Sequence, residues 1–491
     1  MKNIIVSFMT VLLVTTMISC NDFLDINKDP NNPGTAPAAL TLPAAEITIA
    51  TVLGADYAVV GGIWAQHWTQ SHVASQYRDE DRYALNRLDY QGAWSELYAG
   101  ALVDLATIEQ EALESENWNL YIQAVSLTAF TYQILVDWYD AVPYAESLKG
   151  GEGNFSPSFQ NGADIYADLL VRLDAALAKD FTVSSVAQVP SDFVFGSLEK
   201  DDQVNAWIDF ANTLKLKLLL RQTKVNNGGA QSAISAMLNS GTTFLTQDAK
   251  VDVFVDLPDQ SNPLYESNVR QLNVATNLRG SRTLISYLQE NDDPRLDALF
   301  LPGTTGHYGL WQGWFEAPTT EVAEQQPDVA ILDATRPIYF FSADEVMFML
   351  AEANARYGDA GEAKSLYDQA VVAACARVGT DCSSTVAPGG IYEYPNGSLQ
   401  ENLVAIITQK WISLVDRGYE AFWDHKRTGI PAVSALPAFD ADVIPGTFTY
   451  SVGGTTNGLF PMRLVYPETE RNTNINIPAE VPITEAVWWA R

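Results

Sequence analysis

Two stretches of the chain concentrate side chains able to grip a ligand. One runs Trp64-Ala-Gln66-His67-Trp68-Thr-Gln70-Ser-His72 and on to Tyr77-Arg78; the other is His307-Tyr308-Gly-Leu-Trp311-Gln312-Gly-Trp314-Phe315. Indole and phenol rings stack on the apolar faces of saccharides, while Asn, Asp, Gln and Arg meet the hydroxyls. Rings in loops carry more functional weight than rings in helix stripes. In the second stretch glycines expose the rings and no helical period explains them, so ligand contact and packing within the loop both remain open. In the first, Trp64 and Trp68 stand four apart, as in an inward helix stripe, which favours a core role; Tyr77 and Arg78 lie beyond that stripe. The candidate ligand contacts are Tyr308, Trp311, Trp314, Trp68, Tyr77 and Arg78. Trp118, Trp207, Trp411 and Trp423 are assigned to the core.

Bond-breaking chemistry finds less support. The sequence has no Gly-x-Ser-x-Gly elbow, no His-Glu-x-x-His helix, no phosphate-binding Gly-x-x-x-x-Gly-Lys loop and no Gly-rich dinucleotide turn. Asp79-Glu80-Asp81, flanked by Arg78 and Arg82, is the densest acidic cluster and reads as a solvated loop with local ion pairs rather than a catalytic dyad. Asp25, Asn27, Asp29 and Asn31 alternate like calcium ligands, but Pro30 and Ala36 stand where such a loop needs Gly and Glu, so Asx-turns are the better reading. No metal and no cofactor are expected. Cys375 and Cys382 either close a small disulfide loop or remain free thiols; His67, His72, His307 and His425 lie far from them in sequence, which disfavours a metal site.

The elements positioning these residues are mostly helices. In Trp118 to Val136, apolar side chains recur three and four apart as one stripe, and the same spacing runs from Leu403 to Val415. Further helices are predicted near 36–55, 90–113, 161–178, 202–222, 342–357 and 360–376. The clearest strand is Val251-Asp-Val-Phe-Val255. Loops rich in Gly, Pro, Asn and Thr are expected near 144–160, 300–337, 379–399 and 430–482; loops this long are usually functional or disordered, and their aromatic content favours function. Leu350-Ala351 through Tyr357-Gly358-Asp359 to Ala363, Tyr367 and Ala370 resembles a tetratricopeptide (TPR) helix pair, whose small residues let two helices approach.

The N-terminus carries its own message. Lys2 precedes an apolar run from Ile4 to Ile18, about 15 residues, short for a membrane span but right for a signal-peptide core. It ends in Met17-Ile18-Ser19-Cys20, which resembles a lipobox, with Met17 where leucine is commoner. Residues 1–19 are therefore expected to be removed and Cys20 acylated, leaving 20–491 as one domain outside the cytoplasm. No other stretch is expected to approach a membrane span. The 491 residues carry 60 acidic against 29 basic side chains, a net charge of −31, which repels nucleic acid and anionic headgroups but is indifferent to neutral sugars.

Several segments, in order, resemble the SusD/RagB family of nutrient-binding lipoproteins. They are Phe23-Leu-Asp-Ile-Asn27-Lys-Asp29-Pro30-Asn31-Asn-Pro33, Trp138-Tyr-Asp140-Ala-Val-Pro143-Tyr144, Asp293-Pro294-Arg295, Gln409-Lys410-Trp411 through Trp423-Asp424 to Arg427-Thr-Gly429-Ile-Pro431, and Arg463 through Tyr466-Pro467-Glu468 to Asn472. Lys426-Arg427 stands where that family commonly has Arg-Arg. Arg463 and Glu468 read as charge-pinned fold determinants. The resemblance implies a mainly α fold of four TPR-like helix pairs carrying large irregular loops and few short strands. It also implies a non-enzymatic lipoprotein of the outer membrane that binds a glycan, or in some members a peptide, and serves a SusC-type TonB-dependent transporter. Asp22, close behind Cys20, hints at the exterior face. A lipid-anchored glycan hydrolase is the reading from another class.

Overall fold

The computed structural model describes residues 38–315 and 326–491. Helices dominate, with a few strands of two to four residues. At the centre lies Trp118–Tyr139, buried along almost its whole length rather than on one stripe. It is packed by Val103–Ser115, Gly162–Leu177 and Lys200–Arg221. Several of its buried polar residues are paired: Gln133 Nε2 donates to Asp137 Oδ2 at 2.6 Å, and Asn119 Nδ2 to Gln203 Oε1 at 2.9 Å. Val103–Ser115 is entered through a π-helical turn, Glu96–Leu102.

The hairpin of Ala343–Tyr357 and Ala360–Arg377 matches the TPR pattern. Ala351, Ala363 and Ala370 are fully buried, letting the helices close, and Tyr367 fills the groove with its hydroxyl donating to Tyr392 O at 2.9 Å. Ser342 and Asp359 cap the two helices through their side-chain oxygens. Leu399–Ser413 packs on both and opens with a capping box, Ser398 with Glu401. The sulfurs of Cys375 and Cys382 are bonded at the end of the second helix.

Three expectations need correcting. The run Leu40–Trp64 is apolar and long enough to cross a bilayer, but 72% of its most apolar stretch is buried inside the fold, so it is a core element. It comprises Ala38–Gly54 and Asp56–Trp64, and the second of these crosses Gly418–Thr428 so closely that a Cβ on Gly418 would strike the Gly62 backbone. The strand expected at 251–255 is instead Ala249–Val251 (β4), paired with Ile338–Phe341 (β8); Val253 and Val255 are exposed. Asn227–Asn239 and Arg282–Glu290 are helices the periodicity did not announce. Trp207, Trp411 and Trp423 are buried as expected, whereas Trp118 is only half-buried beneath Lys179 Nζ, 4.3 Å from its ring.

Charges are buried between the helices as well. Lys217, Arg221, Lys410, Arg417 and Arg427 interlock with Asp137, Glu345, Glu352, Glu420 and Asp424. Arg463, also buried, donates to Tyr139 O, and Glu468 meets Arg87 at 3.4 Å.

A small sheet supports the loops. Trp68–Gln70 (β1) pairs with Leu278–Gly280 (β5), followed by Val329–Ala330 (β7) and Phe300–Leu301 (β6). Val142–Pro143 (β2) and Phe159–Gln160 (β3) form a separate pair.

Candidate functional site

The loop after β6 returns to the sheet, where Leu310 N–H donates to Gly280 O at 2.9 Å and Arg282 N–H to Leu310 O at 2.8 Å. His307 fixes its entry, with Nδ1 2.5 Å from Asp328 and Nε2 2.8 Å from Asp297. Tyr308 N–H donates to Asp328 Oδ1 at 2.9 Å, and the Arg282 guanidinium lies 5.8 Å from the Tyr308 ring.

Beyond Leu310 the chain is nailed down from below by one carboxylate. Asp81 is fully buried; its Oδ2 accepts from Thr69 Oγ1 (2.7 Å), Gln70 N–H (3.1 Å) and Gly313 N–H (3.0 Å), and its Oδ1 from Gln312 Nε2 (3.1 Å). Burial pushes this carboxyl up to about 7 against the pull of those donors. Among the described residues no cation pairs with it. The acidic cluster is thus not the solvated loop expected: only Asp79 remains outside, paired with Arg82 at 2.6 Å, while Glu80 accepts from Tyr90 and is pushed up by burial to about 7. Gly313 has φ +71, and a Cβ there would run into Ser451 Oγ.

Beside this anchor Trp311 and Trp314, both half-buried and the second packed on Leu310, meet Phe439. The ring of Phe439 lies 5.8 Å from Trp311 and 4.8 Å from Trp314, edge-on to both, and remains 49% exposed. Phe439 adopts φ +70, a strained conformation for a residue with a Cβ. Arg78 joins the group with its guanidinium 5.0 Å from the Phe315 ring. The two stretches singled out in the sequence therefore meet, through Asp81 below and Arg78 above.

Other candidates fall elsewhere. Trp68 is 2% exposed in β1, its ring pressed on Gly62, and leaves no face for a ligand. The four-residue stripe proposed for Trp64 and Trp68 does not exist either, since the helix ends at Trp64 and both rings reach the core separately. Tyr77 is half-buried, its N–H donating to Gln70 Oε1 (2.5 Å) and its hydroxyl to Asn268 Oδ1 (3.1 Å), so it ties the first stretch to the turn Glu266–Gln271 and not to the second stretch. His67 is buried 5.4 Å from Trp411, and burial lowers it to about 3, leaving it neutral. Phe439 escaped the sequence reading because a lone Phe in a Pro-rich loop has no periodicity; Asp81 escaped because charge suggested exposure. Cys20 and the Asp25–Asn31 oxygens lie outside the described residues. Among those described, no cluster of three or more His, Cys, Asp or Glu could hold a metal.

A family model described as starch-binding and associating with the outer membrane matches residues 30–467. The chain belongs to the SusD-like family. Solved structures agree on the fold. A SusD homologue from Bacteroides uniformis is 22% identical, with TM-score 0.71, covering 92% of this SusD-like chain and 99% of its own. A chitin-binding SusD homologue from Flavobacterium johnsoniae is 18% identical, with TM-score 0.73 over 92% and 98%. One from Bacteroides thetaiotaomicron is 20% identical, with TM-score 0.69 over 93% and 99%. No curated protein matches the sequence.

Proposed function

We propose that this chain captures a saccharide on the Trp311–Trp314–Phe439 platform and passes it, chemically unchanged, to a SusC-type TonB-dependent transporter. The reading takes residues 1–19 as a lipoprotein signal, Cys20 as the acylated anchor in the outer membrane, and 20–491 as one outward-facing domain. The observation that carries it is the platform itself: exposed Phe439, at φ +70, gathers two half-buried indoles on a loop fixed by a buried carboxylate and a positive-φ glycine. Tyr308, three residues before Trp311, and Arg78, over Phe315, are the polar groups this reading assigns to its flanks. The family's description as starch-binding and the chitin-binding neighbour support a glycan as ligand.

Affinity electrophoresis of the full chain against a glycan panel tests this. Trp311→Ala and Trp314→Ala should each weaken binding by about 1–3 kcal/mol while leaving the melting temperature nearly unchanged. Unfolding in both variants would make the platform a piece of core. New reducing ends released by the pure protein would make it an enzyme. Cys20→Ala should abolish acyl labelling and free the protein from membranes.

A further inference from the structure

A second set of aromatic side chains surrounds clefts built on the helical scaffold, and none of its residues belongs to the platform. Two neighbouring clefts, of about 360 and 410 Å³, share Ser147 and Leu148. Each falls within the size of small-ligand sites, about 300–1,000 Å³. Trp94, Tyr98, Phe155 and Glu470 line the first; Thr128, Tyr132, Tyr144, Asp168 and Arg172 line the second.

Phe155 is 77% exposed, and Ile475, next to the lining residue Asn474, is 88% exposed. Hydrogen bonds hold the two segments together: Asn474 Nδ2 donates to Pro157 O at 3.0 Å, Asn476 Nδ2 to Ser156 O at 2.6 Å, and Ser156 Oγ to Thr473 O at 3.5 Å. Leu148, shared by both clefts, is held at φ +63, which a side chain of its size adopts only where the surroundings impose it. The π-turn Glu96–Leu102 supplies Tyr98 to one cleft and Leu102 to the other, and such turns concentrate at functional positions.

The second cleft also carries polar groups. Arg172 reaches Glu109 at 2.6 Å, and the Tyr144 hydroxyl donates to Asp168 at 2.5 Å. Thr128 is buried, lines this cleft, and its Oγ1 has no hydrogen-bond partner among the described residues. A buried hydroxyl without a partner is costly unless an occupant meets it.

We propose that the paired clefts form a second saccharide site, in which Phe155 and Tyr98 take the apolar face of a sugar ring while Thr128, Asp168 and Arg172 meet hydroxyls. The choice of ligand class rests on the saccharide reading of the platform; the site itself rests on its own residues. A neutral, hydroxyl-rich ligand fits rings interleaved with a carboxylate, a guanidinium and an unpaired hydroxyl, in a chain whose net charge of −31 turns away anions.

Hydrogen exchange of the full chain, read by mass spectrometry with maltohexaose, cellohexaose or chitohexaose, separates the two sites. At least one sugar should slow exchange in 94–103 and 143–157 severalfold. That protection should persist in the Trp311→Ala/Trp314→Ala double variant, vanish in Phe155→Ala and weaken in Thr128→Val. The proposal is overturned if none of the three sugars protects these segments, if protection disappears with the platform tryptophans, or if neither cleft variant changes it. Protection at 307–315 reports on the platform independently, so either site can fail without the other.

Discussion

Two sets of buried carboxylates hold this molecule together, and they are compensated differently. Between the helices, Glu345, Glu352, Glu420, Asp424 and Asp137 meet Lys217, Arg221, Lys410, Arg417 and Arg427, charge against charge. Beneath the aromatic loop, Asp81 meets, among the described residues, only neutral donors from Thr69, Gln70, Gln312 and Gly313. The helical network fixes the scaffold, because removing any member strands an opposite charge out of water. The loop anchor is a lone carboxylate at the edge of its charged range, so the platform can be loosened without unfolding what lies beneath.

Removing one partner from the network should produce the largest effect. Glu345 contacts Lys217 and Arg417 and lies 4.0 Å from Lys410. Glu345→Gln leaves these cations short of a counter-charge and should destabilise the fold by about 3–5 kcal/mol, read as a fall in denaturation midpoint. A loss below about 1 kcal/mol would show that the remaining carboxylates absorb the change.

A smaller and more local effect is expected from Gly313→Ala. Its φ of +71 and the proximity of Ser451 leave no room for a methyl group. The variant should lose glycan binding at least tenfold while global stability falls by about 1–2 kcal/mol, because only the loop is displaced. Equal damage to stability and binding would mean that loop and scaffold form one cooperative unit.

The two regions should also respond to pH with opposite signs. Burial raises Glu345 and Glu352, but facing cations outweigh it: Arg417, Lys217 and Lys410 around the first, Arg427 and Arg356 around the second, holding both down to about 2. Their folded values lie below the ordinary 4.5, so their contribution is present above that pH and is lost as pH falls towards 2. Asp81 is raised from 3.8 to about 7, so its contribution is full below pH 3.8 and is lost as pH rises through 7. The exchange protection of 311–315, taken relative to the intrinsic rate at each pH, should therefore fall severalfold between pH 5 and 8 while the helices stay protected. Asp81→Asn should flatten that pH dependence; an unchanged profile would place the titrating group elsewhere.

This contrast also explains what the sequence disclosed. The helices from 343 to 377 were legible because small residues, caps and Tyr367 act within a few positions of one another. The aromatic loop was legible as composition, since glycines beside Trp311 and Trp314 break every helical period. What escaped was non-local or disguised. Asp81 lies 232 positions from Gly313 and looked like surface charge. Trp68 looked available for a ligand until strand pairing with β5 closed over it. Asn227–Asn239 begins Asn-Gly-Gly, poor helix formers, and depends on the Asn226 cap and on packing against Ala343–Tyr357.

The smallest expected effect tests where loop and scaffold join. Arg78 approaches the Phe315 ring at 5.0 Å, and its Nε donates to Ala74 O at 3.2 Å. A part-exposed cation–π contact contributes about 0.5–1 kcal/mol. Arg78→Ala should therefore weaken glycan binding only two- to fivefold if the guanidinium merely steadies Phe315, and Arg78→Lys should restore part of the loss by keeping the cation over the ring. A larger loss that lysine does not repair would assign the planar guanidinium a direct bond to the ligand. In that case the platform would extend from the rings onto the segment carrying Asp81, and anchor and binding face would belong to one continuous site.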